Sequence, residues 1–249
     1  MSMSIVEACG VVAKQKGESV VVATMLSMFI FDRIEGADGQ AKGIPLVAGL
    51  AGVALGLGVA KAKRLFRSAH EEAAQGSHQQ RINSVPLMGG AAGLGLGIAL
   101  ARPDKTVVVM DGDASLLMEL GGLATVAAHR PANFLHCVVH NRTQFTALDN
   151  MPILDGQFDF AAAARAAGYA RAERIEQGPE WARRFPELLK LQGPSFVELI
   201  VDPLPRQTKA GFEQEELPPN QFTRMRDEAI ALQRWLAGSL TASPSNTEA

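Results

Sequence analysis

Short unbroken apolar runs alternate with longer stretches of helical periodicity along this chain. Val20-Val21-Val22-Ala23, Thr106-Val107-Val108-Val109-Met110, Phe134-Leu135-His136-Cys137-Val138-Val139 and residues 196–201 are such runs. They lack the in–out alternation of a half-solvated strand and predict strands buried on both faces. Residues 4–16 place Ile5, Val6, Ala8, Cys9, Val12 and Ala13 on one side of a helix. Further helices are predicted over 91–101 (small residues, ended by Pro103), 115–128, 158–167 (stopped by Gly168), 179–191 (opened by Pro179) and 220–237. Residues 32–43, with Asp32, Glu35, Asp38 and three glycines, read as a loop, and 61–81 as polar and partly helical. Strands alternating with helices predict an α/β fold, a three-layer α/β/α arrangement around a mostly parallel sheet.

Residues 1–205 are expected to form one domain, 206–238 a C-terminal helical extension, and the Ser/Pro/Asn-rich residues 239–249 a disordered tail. Ile44-Pro45-Leu46 and Val85-Pro86-Leu87 open two similar Gly/Ala-rich stretches, which read as two helices of like composition, not as a repeat array.

Composition narrows the partners. A net charge of −2 with no long basic block argues against nucleic acid. The apolar segment 44–60 is shorter than the roughly 20 residues a spanning helix needs, so a packed interior or interface helix is expected, not a membrane span. The N-terminus shows no basic start followed by an apolar stretch and cleavage site, so no leader is expected. Cys9 and Cys137 are far apart and without metal-ligand spacing, which fits the reducing cytoplasm.

The chemistry concentrates where two strands end. The run 106–110 passes into Asp111-Gly112-Asp113-Ala114-Ser115, and the run 134–139 into His140-Asn141. In an open parallel sheet, ligands bind beyond the carboxyl ends of the strands. Asp113, the Asn141 side-chain oxygen and a backbone carbonyl beyond it would suit magnesium, with phosphate oxygens completing the shell. Gly112 permits a sharp turn, and the amides of Ala114 and Ser115 would face a diphosphate. Asp111 reads as a strand-end carboxylate of structural role, and His136 as packing. Asp111 as the start of a calcium loop fails, because Leu116 and Gly122 stand where glycine and glutamate are required. An Asp-x-Asp glycosyltransferase and a non-catalytic regulatory subunit are rival readings.

The order Gly112-Asp113-Ala114 … His140-Asn141 resembles the Gly-Asp-Gly … Asn-Asn motif of thiamine diphosphate enzymes, with Ala114 and His140 as departures. Pro86-Leu87-Met88-Gly89-Gly90-Ala91 resembles that family's Gly-Ser-Met-Gly-x-Ala segment. Asp159-Phe160-Ala161, Gly168-Tyr169-Ala170 and Gly193-Pro194-Ser195-Phe196-Val197-Glu198 are similar to the beta chain of sulfopyruvate and phosphonopyruvate decarboxylases.

This resemblance implies the thiamine diphosphate-binding fold and thiamine diphosphate with Mg2+ as cofactors. It implies Asp113, Asn141 and Thr143 (by its backbone) as metal ligands. Met88, Gly89, Gly112, Asp113, Ala114, Ser115 and Asn141 become the cofactor-binding residues, with Met88 the apolar wedge beneath the cofactor. His140 and Arg142 are the catalytic candidates by proximity, His140 as proton carrier and Arg142 as anion clamp. The implied activity is decarboxylation of a 2-oxo acid to an aldehyde and CO2. The nearest alternatives are an acetolactate synthase-like carboligase and a 2-oxoacid oxidoreductase beta chain. Glu7, Glu18 and Glu35 lack the setting of an activating glutamate. A separate aminopyrimidine-binding alpha chain is therefore expected to supply it, giving a hetero-oligomer. Residues 30–80 are longer than the family needs and read as an insertion.

Overall fold

A computed structural model describes residues 2–38, 80–84, 87–146, 149–153, 158–203 and 218–241. The first helix, α1 (Ile5–Gln15), starts from a capping box: the Ser4 hydroxyl accepts the Glu7 amide at 3.2 Å and the Glu7 carboxylate accepts the Ser4 amide at 2.7 Å. There follow β1 (Val20–Ala23), α2 (Met25–Asp38), β2 (Arg81–Asn83), α3 (Gly90–Ala101), β3 (Val107–Gly112), α4 (Asp113–Met118), α5 (Gly122–His129) and β4 (Phe134–His140). The remainder is β5 (Thr143–Thr146), β6 (Asp149–Pro152), α6 (Phe160–Ala167), β7 (Arg171–Ile175), α7 (Gly178–Leu188), β8 (Ser195–Ile200) and α8 (Pro218–Thr241).

Six strands form one parallel sheet in the order β2-β1-β3-β4-β8-β7, and β5 and β6 form a separate antiparallel ribbon. Because strand side chains alternate, the continuous apolar runs divide between two layers. Val21, Val108, Met110, Leu135, Cys137, Val139, Val197 and Leu199 pack with α1, α2 and α7. Val20, Val22, Val107, Val109, Phe134, Val138 and Phe196 pack with α3, α5 and α6. The expected three-layer fold is what the chain forms. On the first face the Trp181 indole N–H donates to the Ala8 carbonyl at 3.0 Å, tying α7 to α1. On the second, α3 lies so close to the sheet that a Cβ at Gly95 would stand 2.5 Å from Val109 Cγ2.

Several expectations are corrected. The loop read over 32–43 is helical as far as Asp38, because tertiary contacts outweigh its acids and glycines: Phe31 is in the core, and Asp32 pairs with the buried Arg81 at 2.7 Å. The helix read over 115–128 is two helices. Glu119 leaves the helical region (φ −137°, ψ 49°) ahead of the glycine pair Gly121-Gly122, a composition that disfavours a continuous helix.

Four further strands were unforeseen. β2 is buried although two of its three residues are polar, since Arg81 is paired and Asn83 donates to Glu228 of α8 through its backbone (2.9 Å) and side chain (2.5 Å). β7 carries charges suited to a sheet edge, and β5–β6 form a ribbon where no strand was expected. The last helix runs to Thr241, past the expected onset of the tail at 239, and its Leu232 is buried in the second layer. Of the expected insertion, 30–38 belong to α2. Residues 39–79, including the apolar segment 44–60 and nearly all of the polar stretch 61–81, lie outside the described residues, as do 204–217 and 242–249. Among the described residues no helix is long and apolar enough to cross a membrane.

Candidate cofactor site at the strand ends

The chain leaves β1 toward β2 on one side and leaves β3 toward β4 on the other, so the topological switch point lies between β1 and β3. Thr24 follows β1 there and donates its hydroxyl to the Met110 carbonyl at 3.3 Å. Gly112 and Asp113 lie at the end of β3, and Asn141 follows β4 one strand farther on.

Asp113 is buried. Its Oδ1 accepts the Ala114 amide at 2.8 Å, and its Oδ2 reaches across to the turn after β4, accepting the Arg142 amide at 2.6 Å. Burial pushes this carboxyl above its ordinary range, against the opposing pull of the Ala114 and Arg142 amides. Asn141 is also buried, its Oδ1 accepting the Thr143 amide at 2.8 Å and the Thr143 hydroxyl at 3.0 Å. Between them Arg142 holds φ +60°, a left-handed conformation that a residue with a Cβ adopts only under constraint. Its half-buried side chain has no ion-pair partner among the described residues.

Three of the expected metal-site residues are therefore brought together from two strand ends. Their donors are all oxygen: one carboxylate, one amide and backbone carbonyls, a set that fits a hard cation. Among the described residues no group of three or more His, Cys, Asp and Glu side chains is placed to hold a metal ion. A cation here would thus take much of its shell from a ligand such as a diphosphate, and would offset the cost of holding the Asp113 charge away from water.

The second expected segment meets the first. Gly89 stands at φ +86° before α3, and its amide donates to the Ser115 hydroxyl at 2.9 Å. A Cβ at Gly89 would lie 2.7 Å from Glu119 Cβ, so only glycine lets this turn sit against α4. Met88 is exposed in that turn and is not a core residue. Ala114 is buried, and its amide is engaged by Asp113.

His140 and Arg142 flank Asn141 but differ in setting. His140 is buried, with Nδ1 2.7 Å from Glu198 Oε1 and Nε2 without a hydrogen-bond partner among the described residues. Its partner Glu198 is a lone carboxylate inside the apolar run 196–201, a signal visible in the sequence. His136 is more than packing: Nδ1 meets the Tyr169 hydroxyl at 3.1 Å and Nε2 meets Asp111 Oδ2 at 3.4 Å. Asp111 also accepts the Gly112 amide at 2.8 Å. Glu7 serves the α1 capping box and Glu18 pairs with Lys105 at 2.6 Å.

Comparison with known proteins identifies a family for the chain. Residues 65–199, more than half of the chain, match the family described as thiamine pyrophosphate enzyme, C-terminal TPP binding domain. A phosphonopyruvate decarboxylase of Streptomyces hygroscopicus is 31% identical over 136 residues, 55% of this chain and 33% of that protein. One from Streptomyces viridochromogenes is 36% identical over 99 residues, 40% of this chain and 25% of that protein. The sulfopyruvate decarboxylase subunit beta of Methanothermobacter thermautotrophicus is 35% identical over 100 residues, 40% of this chain and 51% of that subunit. The chain thus spans between a quarter and about half of the length of these relatives. The X-ray structure of an enzyme from Mycobacterium smegmatis, assigned as thiamin diphosphate-dependent, superposes with a TM-score of 0.56 at 15% identity. That match covers 81% of this chain and 32% of the other, and shows a shared fold. By the extent of the family match, this chain belongs to the thiamine pyrophosphate enzymes and carries their C-terminal TPP-binding domain.

Proposed function

We propose that this chain is the beta subunit of a thiamine diphosphate- and Mg2+-dependent 2-oxo acid decarboxylase of the sulfopyruvate or phosphonopyruvate type. The observation that carries the reading is the junction of Asp113 with the Asn141–Arg142 turn across two strand ends, at 2.6 Å from Asp113 Oδ2 to the Arg142 amide. The cofactor, when bound, supplies the electron sink for loss of CO2 from the keto acid.

The residues of this chain bind and orient. Asp113, the Asn141 side chain and the Thr143 carbonyl are the ligands for Mg2+. Gly89, Gly112, Ala114 and Ser115 line the diphosphate end, and the exposed Met88 supports the cofactor. Arg142, without an ion-pair partner among the described residues, is suited to the second anion of a sulfonate- or phosphonate-bearing substrate, which a guanidinium binds in a bidentate way. His140 is the nearest imidazole to these ligands in sequence. The activating glutamate comes from a separate aminopyrimidine-binding alpha chain, so the working form is a hetero-oligomer. The beta-subunit designation of the Methanothermobacter relative supports this. A cytoplasmic setting goes with this reading.

The test is a pull-down from the native source, followed by a decarboxylation screen of the recovered complex. Release of CO2 from sulfopyruvate or phosphonopyruvate, lost with Asp113→Ala, is expected. Recovery of no chain with an aminopyrimidine-binding domain would defeat the subunit assignment.

A further inference from the structure

Glu198 lies on β8, the strand beside β4, and is fully buried. Both of its oxygens face hydrogen-bonding neighbours: Oε1 lies 2.7 Å from His140 Nδ1, and Oε2 accepts the Ala161 amide at 3.2 Å in the first turn of α6. With Oε2 taken by an amide donor, Oε1 is the acceptor toward the ring, and His140 Nδ1 is the atom that donates to it. Phe160 packs edge-on against the ring, at 5.1 Å between centroids, and fixes its plane. Nε2 is buried and without a partner among the described residues. The same residue's backbone carbonyl accepts the Val201 amide at 3.2 Å, so both its ring and its main chain are held by β8 and the residue that follows it.

We propose that Glu198 is a positioning residue of the metal loop: it holds His140 in the Nδ1–H form, with Nε2 bare, and so fixes the strand end that delivers Asn141. This rests on the reading of Asn141 as a metal ligand. Groups that orient the residues around a metal typically change its affinity 10–100-fold when replaced, although they never touch it. The assignment also explains why an imidazole is accommodated at this strand end. Without Glu198 its Nδ1 would be buried and unsatisfied, and without His140 the Glu198 Oε1 would be buried and unpaired.

Glu198→Gln makes the test sharp. The amide has one acceptor oxygen, which the Ala161 N–H requires, so its NH2 turns toward Nδ1 and drives the hydrogen to Nε2. Nitrogen-15 NMR of the labelled imidazoles, recorded on the chain without ligand, is expected to show His140 with Nδ1 protonated and Nε2 bare. Glu198→Gln should reverse that pattern and weaken Mn2+-thiamine diphosphate binding about tenfold or more. In a His140→Asn background the same substitution should change affinity less than twofold, because its effect passes through the ring.

A wild-type ring protonated on Nε2 or on both nitrogens overturns the inference. So does a Glu198→Gln chain with the wild-type pattern and affinity, or an equal loss in the His140→Asn background. If Glu198→Gln fails to fold, the wild-type spectrum alone decides. Absence of Mn2+-thiamine diphosphate binding by the wild type would defeat the metal-loop reading, while the ring spectra would still judge the His140–Glu198 assignment.

Discussion

Asp113 accepts the backbone amide of Arg142 at 2.6 Å, so one buried carboxylate joins the end of β3 to the turn after β4. The contact uses Arg142's main chain and leaves its guanidinium available. Arg142 itself holds φ +60°, a left-handed conformation that a residue with a Cβ rarely adopts.

Arg142 therefore has separable roles. Arg142→Ala should raise the substrate KM by roughly 10–100-fold, the worth of a charged hydrogen bond, while leaving the cofactor Kd nearly unchanged. Arg142→Gly should lose the same substrate affinity yet gain stability on the order of 0.5 kcal/mol, as relief of the left-handed strain outweighs glycine's entropy. Steady-state kinetics and urea melts check both. A larger effect on cofactor than on substrate would reject the anion-clamp role.

Two glycines should respond in opposite directions to alanine. At Gly89 the new Cβ meets Glu119 Cβ at 2.7 Å and the backbone is left-handed, so a loss of about 1–3 kcal/mol is expected, with weakened cofactor binding as the Ser115 contact shifts. Gly10 sits inside α1 with nothing within 4 Å of a Cβ, so Gly10→Ala should gain about 0.5–1 kcal/mol. Chemical denaturation of the two variants reads the contrast directly.

Tyr169 and His136 are a control for the site. Tyr169→Phe removes the hydroxyl that meets His136 Nδ1 at 3.1 Å in the buried second layer, and should cost about 1 kcal/mol. Cofactor affinity should stay within twofold of wild type, because this polar link runs to the structural Asp111 and not to Asp113. A tenfold loss of cofactor binding would show that His136 belongs to the site.

The buried thiols give a pH signature. Burial pushes Cys9 up to about 12 from an ordinary value of 9.0, and Cys137 is raised by the same cause. A thiol that ionises more readily when unfolded contributes stability fully present below about pH 9 and lost progressively as the pH rises toward the folded value. Thermal melts should thus fall between pH 9 and 11. A thiol reagent at pH 8 should label neither cysteine before unfolding and both afterwards.

The parallel sheet was legible because β1, β3, β4 and β8 are buried on both faces and so read as continuous apolar runs. β2 was not: Arg81 and Asn83 look like loop residues until Asp32 and Glu228, distant in sequence, neutralise their polarity. The end of α2 was obscured for the same reason. At the site, Asp113 and Asn141 stood out by spacing and by family resemblance, and the fold supplied the contact that joins their segments. The Gly89–Ser115 bond and the Glu198–His140 pair depend on which residues face each other across segments, information that local pattern does not hold.

The central claim is that Asp113 and Asn141 hold a divalent cation and, through it, a diphosphate. Calorimetric titration of the wild-type chain with thiamine diphosphate, with Mg2+ and again with excess chelator, tests it most directly. Saturable binding that requires Mg2+ is expected, lost in Asp113→Ala and Asn141→Ala chains that keep the wild-type fold by circular dichroism. Binding that survives chelation and both substitutions would contradict it, as would a wild-type chain that binds a uridine nucleotide with Mg2+ but not thiamine diphosphate.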